Sequence, residues 1–244
     1  MMVLRGSFGD TRVDPVVLFD VHDLEGAGPP ADAIDVQFRA PLTFSLLVDA
    51  LVRNDRELDA QTCLTVYEKV IEHTVGKVQV ACGYVTDDGS VSSPARLELA
   101  TLGESSVPGL DTVRMHHHLW IGPTAETLDD GVRRTVDRRR LRDALRNVVW
   151  PSYLGRLREL TELTCGISWG IPWPGAAGQI VDPPLHEHLA GHELGVCPSP
   201  WGAREMWEQP TEKWLADVAE DERAAAGDAE RGLLYWTPPG TERS

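Results

Sequence analysis

Met115-His116-His117-His118-Leu119-Trp120-Ile121-Gly122 places three histidines inside a run whose other members belong in a buried β-strand. Side chains alternate along a strand, so His116 and His118 share one face while His117 points to the other. Two imidazoles side by side on a rigid strand are a ready pair of metal ligands, because neutral imidazole nitrogen binds most divalent first-row metals. Two ligands do not close a site. Either a neighbouring element supplies more, or the histidines are a polar patch on a half-exposed strand.

The rest of the chain mixes strand and helix patterns. Val16–Val21 and Ala33–Arg39 read as strands, separated by the Gly26–Pro30 loop. Pro41 opens a helix from Leu42 to about Val52, and apolar spacing predicts a longer one from Leu58 to about Val75. Val78–Thr86 reads as a strand ending in the hairpin-type turn Asp87-Asp88-Gly89. Ala95–Leu102 and Val113–Ile121 follow as strands. Asp129-Asp130-Gly131 is a turn leading into Val132–Val136. Pro151 separates two predicted helices, Arg138–Val149 and Ser152–Thr164, and Gly166 is a natural stop.

After Gly166 the texture changes. Ile167–Gly178 holds two tryptophans, two prolines and three glycines, and Trp201, Trp207, Trp214 and Trp236 follow in an otherwise acidic tail. The expected organisation is a main domain over residues 1–170 and a Trp-rich lobe over residues 171–244. Thr211 caps a predicted helix from Glu212 to Ala226. The tryptophans can stack on unpaired bases, although such residues more often fill a core or a seam.

A composition of 42% hydrophobic and 25% charged residues is ordinary for a soluble globular chain. No apolar run has transmembrane length, and the N-terminus lacks a basic-then-apolar leader. The four cysteines are far apart with no C-x-x-C pair, which fits reduced thiols in a cytoplasm. The net charge is −15, yet nine arginines stand against only Asp137 and Asp143 between Val132 and Arg158. Arg138, Arg139, Arg140 and Arg142 in this basic island are candidate nucleic-acid contacts, the alternative being a solvated helix face paired with nearby acids.

His186-Glu187-His188-Leu189-Ala190-Gly191-His192 is a second histidine cluster. The metalloprotease pattern H-E-x-x-H fails there, because Ala190 stands where the second ligand is required when counting from His186. From His192 the same position is Val196. A structural role is favoured over a second metal, although one of these residues could fold back on the His116/His118 pair.

Four segments in order resemble conjugative relaxases of the TrwC/TraI type, the His-hydrophobic-His endonucleases. Asp35-Val36-Gln37-Phe38-Arg39-Ala40-Pro41-Leu42-Thr43-Phe44-Ser45-Leu46-Leu47 is similar to the block DLTF-x-APKSVSLL. Leu110-Asp111 through Met115-His116-His117-His118-Leu119 resembles the strand DP-x-LHTHV. Asp130-Gly131 through Leu141 is similar to the turn DG-x-W-x-x-LD-x-x-x-L, and Tyr153–Leu163 to the helix YRAELRRELTERLG. The resemblance covers about Asp35 to Gly170 and implies an α+β fold with a central antiparallel sheet and flanking helices.

It implies a protein that nicks single-stranded DNA, with a tyrosine attacking the phosphodiester and a three-histidine divalent metal polarising it. His116 and His118 are then metal ligands. The family's third histidine lies on the preceding strand, where this chain has Glu98 and Glu104 instead, and two histidines with one carboxylate also make a sound site. The family's nucleophilic tyrosine lies near the N-terminus, and no tyrosine precedes Tyr67 here. Tyr153, on the helix after the histidine strand, is the candidate replacement.

The expected function is therefore that of a metal-dependent relaxase-like protein, with Mg, Mn, Zn or Fe bound and with DNA binding or degenerate nicking as its activity. Two alternatives are a cytoplasmic metalloenzyme acting on a small molecule and a catalytically inactive accessory DNA-binding protein.

Overall fold

The computed structural model describes residues 32–87, 91–105, 113–172 and 178–183, together with the backbone of 16–17 and 201–202. The His186–Gly195 cluster, the helix expected from Glu212 and four of the tryptophans' side chains after 171 (at 201, 207, 214 and 236) lie outside the described residues, as does Trp173.

The histidine run is the middle strand of a five-stranded sheet. In chain order the sheet holds β1 (Val16–Val17), β2 (Ile34–Arg39), β5 (Glu98–Glu104), β6 (His116–Ile121) and β11 (Trp201–Gly202), arranged β1-β5-β6-β2-β11. All neighbours are antiparallel except the β1·β5 pair. This is the α+β architecture that the resemblance implies.

Register fixes which residues share a face. Asp35, Gln37 and Arg39 stand opposite Trp120, His118 and His116, while Ala100, Leu102 and Glu104 stand opposite the same three from the other side. The opposite face carries Val36, Phe38, His117, Leu119 and Ile121, and it is covered by helices. Helix α1 (Leu42–Arg53) is buried almost all round. Helix α2 (Glu57–Cys82) buries one stripe, including Ala60, Cys63, Tyr67, Val70, Thr74, Val78 and Cys82. The ring of Tyr67 lies 5.4 Å from that of His117.

Val78–Cys82 belongs to this helix and not to a strand, so the expected strand Val78–Thr86 shrinks to β3 (Tyr84–Thr86). The reason is packing: Val78, Gln79 and Cys82 continue the buried stripe of α2 for another turn. Gln79 also donates to the Ala95 carbonyl at 2.9 Å and accepts from the Leu97 amide at 2.9 Å. Those bonds pin the point at which the expected single strand Ala95–Leu102 divides into β4 (Ser92–Arg96) and β5. Strands β3, β4, β7 (Thr124–Thr127) and β8 (Arg133–Val136) close a small barrel around Val85, Ala95, Ala125 and Val136. Gly131, at φ 69°, supplies the left-handed residue of the turn between β7 and β8.

The two helices expected on either side of Pro151 are one continuous helical path. Helix α3 (Arg138–Ala144), started by the Asp137 side chain accepting from the Arg140 amide, runs into a π-helical turn at Leu145–Val149 and then into α4 (Trp150–Cys165). Proline has no amide to donate and crowds the preceding turn. Here the wider π turn, with the Trp150 amide reaching back to the Leu145 carbonyl, immediately precedes it. Gly166, at φ 64°, ends α4 as expected. Short strands β9 (Ser168–Trp169) and β10 (Ile180–Asp182) then pair, and Ile180 joins the core. Cys63, Cys82 and Cys165 are buried free thiols. Among the described residues no helix is long and apolar enough to cross a membrane.

Tyr153 sits at the centre of the helix–sheet contact. Its ring packs 5.4 Å from Phe38 and 5.1 Å from Trp150, and its hydroxyl donates to the Arg39 carbonyl at 2.9 Å. Tyr153→Phe should lower the unfolding free energy by about 1 kcal/mol, the usual net worth of one buried hydrogen bond. Tyr153→Ala should cost about 3–5 kcal/mol. Denaturant unfolding of both variants measures this.

Candidate metal centre

Three potential ligands converge on the sheet face away from the helices. Glu104, at the end of β5, stands directly across from His116, and His118 is two residues further along the same face of β6. The carboxylate Oε2 of Glu104 lies 3.2 Å from Nε2 of His116 and 4.0 Å from Nε2 of His118. All three ligand atoms fall within 4.8 Å of one another. Atoms sharing one ion at bond lengths near 2.1 Å lie about 3–3.5 Å apart, so a small closure completes the set.

The remaining ring nitrogens fix how the imidazoles are presented. Nδ1 of His116 lies 2.8 Å from the Arg114 carbonyl, and Nδ1 of His118 lies 3.0 Å from both carboxylate oxygens of Asp35. Both partners can only accept, so each Nδ1 carries the proton and donates. Each Nε2 therefore turns a lone pair toward the other and toward Glu104. Two lone pairs and a carboxylate facing one point need a positive charge between them, and a divalent cation fits that need. Without a cation, a proton on His116 Nε2 can take that place, and its hydrogen bond holds the Glu104 carboxyl below the usual carboxylate range, against the opposing effect of burial.

Asp35 is fully enclosed, and its pairing with His118 is the carboxylate–histidine arrangement that orients metal-binding imidazoles. Sequence reasoning did not single it out. The signal was an acidic residue on a strand whose buried positions are otherwise apolar, but only the register shows that Asp35 reaches His118. Gln37 and Arg39 complete the face. Arg39 Nε donates to Gln37 Oε1 at 2.8 Å, and Gln37 Nε2 lies 3.3 Å from His118 Nε2.

The other candidates stand elsewhere. Glu98 shares the face of Glu104 but begins β5, six residues or about 20 Å away, and it forms a two-pronged pair with Arg133. Tyr153 packs on Phe38, on the far side of the sheet from His116 and His118. His117 also faces that side, as alternation requires. Arg138, Arg139, Arg140 and Arg142 are exposed on α3. The Arg140 guanidinium stacks on the Tyr84 ring, 3.3 Å from its centre. Helix α3 packs beside Cys82, fifteen residues or about 22 Å along α2 from Tyr67. The arginines of α3 and the histidines thus lie toward opposite ends of α2.

No protein-family model and no curated protein sequence matches the chain. Among solved structures it is similar to the conjugative relaxase TrwC in complex with oriT DNA. The copper-bound complex has a TM-score of 0.49 at 13% identity, with 83% of this chain and 70% of that chain covered. A metal-bound complex gives 0.48 at 13% identity, covering 83% and 71%. A complex with a 27-mer comprising the recognition hairpin and the cleavage site gives 0.46 at 13% identity, covering 83% and 73%.

Two tests follow from the geometry. Replacing both His116 and His118 by alanine should abolish divalent-metal binding, and Glu104→Ala should weaken it severely. Asp35→Asn should weaken it about 10–100-fold, while His117→Ala should leave metal content unchanged. Elemental analysis of the purified variants checks each, and stoichiometric metal in the double variant would sink the assignment.

The second test concerns His117. Its Nδ1 is enclosed without a hydrogen-bond partner among the described residues. Burial first, and the His116 and His118 charges next, push its pKa down from 6.5 to about 4. The unfolded chain therefore takes up this proton at a higher pH than the folded one. In metal-free protein, stability should fall as the pH drops from 6.5 toward 4, and His117→Leu should flatten that dependence.

Proposed function

We propose that this chain is a metal-dependent relaxase-like protein that binds and processes single-stranded DNA, with the tyrosine-based nicking step lost. The observation that carries the reading is the convergence of Glu104, His116 Nε2 and His118 Nε2 on one point, with both imidazoles tied back through Nδ1. His116, His118 and Glu104 would hold the cation, and Asp35 would orient His118. A divalent metal bound there supplies a Lewis acid for a phosphoryl oxygen. The ordered match of four sequence segments to the relaxase pattern supplies the substrate class.

None of the described tyrosines serves as the nucleophile in this reading. Tyr67 donates its hydroxyl to the Phe38 carbonyl at 3.2 Å, and Tyr153 donates to that of Arg39, both on the helix side of the sheet. Tyr84 belongs to the small barrel, beneath Arg140. The exposed arginines of α3 would hold the strand by its phosphates at a distance from the centre. The DNA-processing unit of this reading is the expected domain 1–170 together with Ile180–Asp182 and Trp201–Gly202, which join its core and its sheet, and the protein works in the cytoplasm.

Fluorescence anisotropy with a single-stranded oligonucleotide tests the reading. Binding should weaken steeply with salt, and removing Arg138, Arg139 and Arg142 together should reduce the log–log slope by about 2, at roughly 0.7 per phosphate contact. With manganese or magnesium no stable protein–DNA adduct should form. An adduct that disappears in Tyr153→Phe would restore the nicking mechanism. Absence of DNA binding even at low salt would pass the lead to a small-molecule substrate.

A further inference from the structure

Gln37 and Arg39 have a geometry that the ligand set does not explain. The two sit on the metal face of β2, directly across from His118 and His116. A guanidinium can only donate, so the 2.8 Å bond from Arg39 Nε fixes which end of the Gln37 amide is oxygen. The amide N–H2 is thereby aimed at His118 Nε2, 3.3 Å away. That is the atom whose lone pair faces the centre.

With a cation in place the lone pair is taken, and the Gln37 N–H needs another acceptor at the same spot. An oxygen brought to the cation by a bound anion is in position to be that acceptor. Charge points the same way. Arg39 is partly buried, and burial and the neighbouring Arg114 charge both weigh against its own charge, with Asp35 acting in its favour. Two guanidinium groups beside a dication favour a ligand that carries negative charge on several oxygens.

We propose that Gln37 and Arg39 form a phosphoryl-binding arm of the metal centre. Gln37 would donate to a phosphoryl oxygen, and Arg39 would hold the amide in register and supply charge. The inference rests on the metal reading above. It deepens that reading by assigning substrate contact to two residues on β2. In the sequence block of the resemblance these positions are a threonine and an unfixed residue, so neither role is carried over from it.

The test uses the full chain loaded with manganese. Metal content is read by elemental analysis, and inorganic phosphate binding by its effect on water-proton relaxation at the bound ion. Gln37→Leu and Arg39→Leu should keep metal within twofold of the unaltered protein and lose phosphate affinity at least tenfold. Gln37→Glu, which keeps the shape and adds a negative charge, should keep metal and lose phosphate binding more completely. Arg39→Lys should recover part of the loss.

Phosphate affinity unchanged in Gln37→Glu and Arg39→Leu, with metal present, overturns this inference alone. Absence of metal from the unaltered protein overturns the metal reading and this one with it. Competition separates two sources of the same chemistry. A short single-stranded oligonucleotide displacing phosphate more strongly than glycerol phosphate assigns the arm to a nucleic-acid strand, and the reverse order assigns it to a small phosphorylated molecule.

Discussion

Asp35 is a carboxylate with no exposure to solvent, and a charge so placed must have a partner. Its partner is Nδ1 of His118, and much of the candidate site follows from that bond. It orients the imidazole and leaves Nε2 as a ligand. The pleat then does the rest. With His118 facing Asp35, His116 lies on the same side, Glu104 comes in from β5, and His117 turns into the helical layer against Tyr67. A one-residue slip of β2 against β6 would leave Asp35 buried among aliphatic side chains and the histidines without their orienting partner.

Much of this was legible in the sequence. Strand alternation alone separates His116 and His118 from His117, because a period of two needs no tertiary information. The two candidate carboxylates were also visible, but choosing between them was not. Glu98 and Glu104 lie on the same face of one strand, and only the register of β5 against β6 distinguishes the one beside His116 from the one held by Arg133. Asp35 went unnoticed for the same reason, since its importance lies in a residue 83 positions away. The segment Val78–Cys82 was misread because a run rich in valine suits a strand locally, whereas burial against the sheet and barrel keeps it helical.

The basic island shows how an electrostatic pattern in a sequence divides once folded. Arg133, Arg134, Arg156 and Arg158 pair with Glu98, Asp130, Glu159 and Glu162, as a solvated surface would. Arg138, Arg139 and Arg142 project from α3 with no ion pair among the described residues. One compositional feature therefore serves both surface pairing and, in the proposed function, phosphate contact.

The path from Arg138 to Cys165 carries a periodicity of its own. Leu141, Leu145, Val149, Tyr153, Leu157, Thr161 and Cys165 are all buried and recur every four residues. On an unbroken α-helix such a stripe drifts by about 40° per repeat, which would carry its far end round to solvent. The π turn at Leu145–Val149 absorbs one residue of that drift. A single deletion inside the turn would therefore leave the two halves of the helix facing the same way. Winding the turn into regular α-geometry at full length would swing Tyr153 by about 100° away from Phe38.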